Sequence, residues 1–273
     1  MKISVSTVAF PGAELAQLPK LAAKAGAEGI AISCSDQGPL RLDASDSELH
    51  EFRARCEDAG IAVSAVYGYA GRGILADEAA TLAKDIDVAT RCIDIAVQLN
   101  CRVSRLFAWK GRPSSDLIDR FVERAQPIAH HALTAGVSLG IPTHHDLAFD
   151  PESCRRLIEG FGRNSAAIIF NGQSMEMDGI DPVAALRKMS DIVSQSEIKD
   201  WRRDGDQIVP VVMGTGDATV FPIVEELLAL NCGDWLTLHH LRQHHPELPP
   251  LDSGMSAAIR KTIREFNAKA THV

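Results

Sequence analysis

Residues 137–182 read VSLGIPTHHDLAFDPESCRRLIEGFGRNSAAIIFNGQSMEMDGIDP, and this stretch decides the architecture. Val137–Ile141 is an apolar run of strand length. Asp150–Pro151 follows as a helix start: the carboxylate can accept the unpaired N–H groups of a first turn, and proline fits where no N–H is needed. Ala166–Phe170 is a second apolar run, and Asp181–Pro182 repeats the helix start. The order is strand, helix, strand, helix. Strands joined in this way run parallel, because a parallel pair needs a crossover connection.

The alternation continues in both directions. Upstream, Ile3–Val8, Gly29–Ser33, Ile61–Tyr67 and Arg102–Ala108 have strand character. A helix beginning near Pro19 and ending at Gly26 separates the first two. Ser45 and Glu48, at capping-box spacing, head a helix with Leu49, Phe52, Cys56 and Ala59 on one face. A long helix carries Ile86, Ala89, Ile93 and Val97, and one opening near Ser114 carries Leu117, Phe121, Ala125, Ile128 and Ala132. Downstream come a strand at Ile192–Ile198, a helix at Val220–Leu230, a strand at Trp235–His239, and a last helix with Met255, Ile259, Ile263 and Phe266. Eight strand–helix units predict an α/β fold, a single (β/α)₈ barrel forming one domain over residues 1–273. The competing architecture is an open doubly wound sheet, for which no GxGxxG follows the first strand. The longest connection, 199–217, is expected to be a loop on the face where the strands end.

Composition narrows the function. A net charge of −8 argues against a nucleic-acid surface, which needs clustered Lys and Arg. No apolar run approaches the roughly 20 residues of a membrane span. The start, MKISVSTVAF, reads as a strand and not as a signal peptide. Six scattered cysteines without a CxxC pair fit reduced thiols and a cytoplasmic protein. The expected partner is a small-molecule sugar or polyol, with neither nucleic acid nor membrane; a homo-oligomer is compatible.

In a barrel the strand C-termini share one mouth. Pro142-Thr143-His144-His145-Asp146, Asn171-Gly172-Gln173-Ser174, the run from Gln195 to Asp200, and His239-His240 converge there. Neighbouring strand residues face opposite ways, so at most one member of each pair points inward. Glu197 sits at a strand end between Ser196 and Ile198, where a carboxylate requires a partner, which favours function. His144–Asp146 could instead cap the loop into the next helix, and His239-His240 could be a surface pair. Trp109 and Lys110, past strand four, could floor a sugar site or simply pack. His130-His131 lie on an outer helix and read as structural.

Several stretches together resemble the xylose-isomerase-like barrels, which include sugar phosphate isomerases and epimerases, ketose 3-epimerases, inosose dehydratase and endonuclease IV. The main one is MGTGDATVFPIVEELLALNCGDWLTL, from Met213 to Leu238; AEGIAIS, THHDLAFDP and EIKD add to it. The resemblance covers nearly the whole chain. It implies a metal site with Glu from strand five, Asp from six, His from seven and Glu from eight. The matching positions here read Pro142, Asn171, Glu197 and His239, with Ser174 where a second His often stands; a slip of two would put Gln195 in place of Glu197.

The implied chemistry is proton abstraction beside a carbonyl, with Glu197 or His239 as the base. A metal or Lys199 would stabilise the enediolate oxygen, and His144, Asn171 and Trp109 would position hydroxyls. The two Glu ligands that move the proton in the family's epimerases are missing here. Glu197, His239 and Asn171 form the candidate metal set. That set carries one negative charge, suiting Mg²⁺ poorly and leaving Zn, Co, Ni or Mn, or no metal at all. Endonuclease IV is disfavoured, for want of its multi-zinc cluster. The competing reading is a non-catalytic or metal-free sugar-binding relative that has lost the family metal site.

Overall fold

The computed structural model describes residues 1–108 and 111–270; the expectation for Trp109 and Lys110 lies outside them. The strands are β1 (Lys2–Ser6), β2 (Gly29–Ser33), β3 (Ala62–Tyr67), β4 (Val103–Arg105), β5 (Ser138–Pro142), β6 (Ala166–Asn171), β7 (Val193–Ile198), β8 (Asp200–Asp204), β9 (Gln207–Val211) and β10 (Trp235–Leu238). The helices are α1 (Leu18–Lys24), α2 (Asp46–Asp58), α3 (Ala79–Gln98), α4 (Ser115–Ala135), α5 (Pro151–Phe161), α6 (Gly172–Met177), α7 (Pro182–Met189), α8 (Phe221–Ala229) and α9 (Ser253–Ala270). Strands β1 to β7 and β10 close a parallel barrel in chain order, with β10 pairing β7 on one side and β1 on the other. The chain is the expected (β/α)₈ barrel.

The helix starts are built as their residues dictate. Ser45 and Glu48 form a reciprocal capping box on α2. Asp150 accepts from Ser153 N at 2.8 Å, and Asp181 accepts from Val183 N and Ala184 N. Gly26 and Gly136 take positive φ just past α1 and α4, where a side chain would be strained.

The barrel has two cores. Ile30, Ile32, Val66, Leu139, Ile141, Ile168, Phe170, Ile198, Leu236 and Leu238 belong to the large apolar core between barrel and helices. Ala31, Ala65, Tyr67, Val103 and Ile169 form a small separate cluster. Much of what else is buried along the strands is polar, including Ser4, Ser64, Gln195 and Thr237. Ser4 and Ser64 share a hydroxyl hydrogen bond of 2.6 Å, and Gln195 Nε2 donates to Ser64 O at 2.6 Å, linking β7 to β3, which are not neighbours in the sheet. Side chains on the apolar parity therefore hold the helices, while the opposite parity builds a polar interior.

Two expectations need correction. The 199–217 connection is not a plain loop: β8 and β9 form an antiparallel hairpin with Asp204 opposite Gln207 across a two-residue turn. Gly205 supplies the positive φ that such a turn requires. Asp200 anchors the segment, its carboxylate accepting from the backbone N–H groups of Trp201, Gly214, Gly216 and Ala218. Strand four is also shorter than its apolar run. Leu106 N still bonds Gly140 O, but Phe107 N turns away to Ala70 O. Gly71 permits this approach, since a Cβ there would lie 1.8 Å from Phe107 O. The Asp85 carboxylate accepts from Gly71 N and Gly73 N and fixes that loop.

Candidate active site

The strand registers lay out the mouth in tiers. Asn171 on β6 lies opposite Glu197 on β7, and Glu197 lies opposite Thr237 on β10. These three form one row. Two residues further on, at the same parity, come Lys199 and His239. Across the barrel, β3 contributes Tyr67 and β4 contributes Arg105, both buried. His144 stands just beyond β5, its ring 5.9 Å from that of Phe107 in an edge-to-face arrangement.

The inward-facing rule decides both histidine pairs. His239 faces Glu197, whereas His240 Nε2 is bonded to Pro249 O at 2.8 Å. His144 interacts electrostatically with Lys199, Glu197 and Arg105; His145 Nδ1 instead pairs with Asp178 at 2.6 Å. His131 pairs with Asp94 on the outer helices, as its position there implies. Glu197, His239, His144, Asn171 and Lys199 therefore share one mouth.

Two members of the site escaped the sequence reading. The Arg105 guanidinium lies 4.3, 5.1 and 4.5 Å from the ring centroids of Tyr67, Tyr69 and Phe107. Its Nε donates to Gly68 O at 3.2 Å. The signal was present: a charged residue within a strand is as exceptional as Glu197.

The carboxylate is held by its surroundings. Burial alone would push Glu197 up, but His239, Arg105, Tyr67 and Lys199 outweigh it and hold the group below its usual range. Glu197 Oε2 accepts from Asn171 Nδ2 at 3.4 Å. Burial lowers Lys199, partly offset by Glu197, and its Nζ donates to Ser174 Oγ at 3.3 Å. Burial brings His239 to about 4 and His144 to about 4, against the pull of Glu197. Both imidazoles are neutral at pH 7, so the mouth holds two cations and one anion.

Buried polar atoms without a hydrogen-bond partner among the described residues gather here: Tyr67 Oη, Glu197 Oε1, Thr237 Oγ1, His239 Nδ1 and Gln195 Oε1. Tyr67 is close enough to Glu197 and Thr237 to bias titration, yet these groups complete no hydrogen bond of ordinary geometry. Each such group costs about 1–3 kcal/mol unless something satisfies it, and a polyhydroxylated ligand would. A groove of about 890 Å³ lies elsewhere, between the starts of α4 and α5. It contains none of these atoms, so chemistry and not volume selects the mouth.

The donors do not fit a resident divalent ion. Among the described residues no three His, Cys, Asp or Glu side chains come together as a metal site. Pro142 offers no side-chain donor. Asn171 is committed on both atoms, with Oδ1 accepting from Ser174 N at 3.2 Å and Nδ2 on Glu197. Of the four matching positions that leaves one carboxylate and one imidazole, faced by two cations.

Residues 19–262 match the family model described as xylose isomerase-like TIM barrel. No curated protein matches the sequence. Among solved structures, a D-tagatose 3-epimerase-like protein superposes with a TM-score of 0.79 at 14% identity, covering 99% of this chain and 100% of its own. A xylose isomerase domain protein from Planctomyces limnophilus gives 0.77 at 20% identity, covering 99% and 98%. A xylose isomerase-like TIM barrel protein from Mycobacterium smegmatis, in complex with magnesium, gives 0.71 at 18% identity, covering 97% and 96%.

Proposed function

The chain belongs to the xylose isomerase-like TIM barrel family, and from that premise we propose that it is a sugar or sugar-phosphate isomerase or epimerase, or a related lyase. The observation that carries this reading is Glu197: a buried carboxylate, held ionised, with one oxygen unpaired among groups that bind hydroxyls. A buried anion is costly and persists only where surroundings are arranged for it. Glu197 takes the proton from the carbon beside the substrate carbonyl. Neutral His239 holds or returns a proton at a substrate oxygen through its unpaired Nδ1. Tyr67, Thr237, His144 and Asn171 orient hydroxyls, and the rings around Arg105 keep water from one wall.

The test is proton exchange. Ketoses, aldoses, polyols and their phosphates are incubated with the protein in D₂O and followed by NMR. Deuterium entering the carbon beside the carbonyl, lost in Glu197→Gln, is the expected result. Ligand-induced stabilisation without exchange for any compound would overturn the catalytic reading and leave a sugar-binding protein. The substitutions at Pro142 and Asn171 favour that second reading, since they replace two of the family's acidic positions.

A further inference from the structure

We propose that Arg105 and Lys199 take the place of a divalent metal in this mouth, binding the substrate's enediolate oxygens with two side-chain cations so that the site works without a metal ion. The proposal rests on the reading above for the reaction and goes beyond it in naming the electrophile.

The first observation is the donor set. A family member using a metal needs several carboxylate or imidazole donors on one ion. Here Pro142 has none to give, both polar atoms of Asn171 are engaged, and a single carboxylate remains. The second observation is that the positive charge has been built in. Arg105 is buried, and buried arginine demands compensation. It receives this from the faces of Tyr67, Tyr69 and Phe107 and from one bond to Gly68 O. Among the described residues its terminal nitrogens form no hydrogen bond. Lys199 leaves the end of β7 two residues after Glu197 and uses one donor, on Ser174. Neither cation forms a contact ion pair with Glu197 among the described residues, although both act on it electrostatically. Both cations thus act on Glu197 without pairing with it, and among the described residues Glu197 Oε1 has no hydrogen-bond partner.

That arrangement matches the charge flow of the reaction. The C–H bond beside the carbonyl breaks, and its proton goes to Glu197. The bonding pair forms a C=C bond while the carbonyl π pair moves onto oxygen, giving an enediolate. Return of the proton to the neighbouring carbon, or to the other face of the same carbon, restores a carbonyl. No oxidant or reductant is involved. Charge develops on oxygen, where the guanidinium and ammonium are already oriented and need no reorganisation.

Oxalate, a planar dianion with adjacent oxygens, serves as the probe in titration calorimetry on the full chain in EDTA. Metal content by mass spectrometry accompanies it. Expected are no stoichiometric metal, oxalate binding in EDTA, and roughly tenfold weaker binding in Lys199→Met. Arg105→Lys, which keeps the charge and loses the fork, should weaken binding less than Lys199→Met. About one metal per chain, oxalate binding that requires added Mg²⁺, Mn²⁺ or Zn²⁺, or no oxalate binding under either condition would each overturn the proposal. Because the readout is binding, it is separable from turnover. Deuterium exchange that needs a metal overturns only this inference, and metal-free oxalate binding without exchange overturns only the catalytic one.

Discussion

Asn171 and Glu197 are register partners on adjacent strands, and the asparagine amide donates to the carboxylate at 3.4 Å. An aspartate at that position, as the family resemblance implies, would set two carboxylates face to face. In this chain the amide removes that repulsion, which is part of why Glu197 stays ionised in a buried place.

Asn171→Asp should therefore lower stability in a pH-dependent way. Each carboxyl would raise the other's folded value above its unfolded one. Stability is then full at low pH and is lost as pH rises through the raised values. Thermal midpoints for variant and wild type should lie close at pH 5 and diverge by pH 8. Equal differences at both values would count against the coupling.

Glu197→Gln should reduce turnover by roughly 10²–10⁴-fold. Glutamine has the same shape and can still bond Asn171, so stability at pH 7 should change by less than about 1–2 kcal/mol. Steady-state kinetics with parallel denaturant titration distinguishes loss of chemistry from loss of fold.

The two mouth histidines set an acid limit. Burial holds His144 and His239 at about 4, below the usual histidine value. For a base whose folded value is depressed, the unfolded chain protonates first. Stability is therefore complete above about 6.5 and declines as pH falls from there to about 4. Unfolding midpoints from pH 8 to pH 4 should fall through that window. Replacing His239 with Gln should make the decline shallower; an unchanged slope would show that another group controls it.

Asp146 titrates in the opposite sense. It is buried, its Oδ1 accepts from Ala148 N at 2.9 Å, and its Oδ2 has no partner among the described residues. Burial raises it to about 7, opposed by the Ala148 bond. Its contribution is present at low pH and is lost as pH rises through about 7. Asp146→Asn keeps the acceptor and removes the charge, so at pH 8 it should raise the thermal midpoint by roughly 2–4 °C.

Much of the barrel was legible because its signals are local. Apolar runs, the Asp150–Pro151 and Asp181–Pro182 starts and the Ser45–Glu48 box each act over a few residues, and each is built as written. The hairpin at β8–β9 was obscured by its composition: Trp201-Arg202-Arg203-Asp204 looks polar and loop-like, since only Asp200 and Trp201 are buried. At the mouth, strand parity allowed at most one of His239 and His240 to face inward, and the family resemblance pointed to His239. Arg105, a charged residue within a strand, was a signal left unread, but its aromatic cradle was not legible, because three rings from two segments meet only after β3 and β4 pair. Gly71, whose φ of 107° admits the Phe107 carbonyl, announces nothing until the fold is closed.

The four backbone amides gathered by Asp200 have an architectural consequence. The segment from Asp200 to Ala218 leaves the barrel and returns to it at one clasp, and its tip at Asp204–Gln207 is exposed. Sequence can be added or removed at Gly205-Asp206 while β7 and α8 keep their places. The hairpin's base, through Pro210, Val211 and Met213, lines a cavity together with Lys199 and His239, so changes of length belong at its tip and changes at its base would reach the mouth.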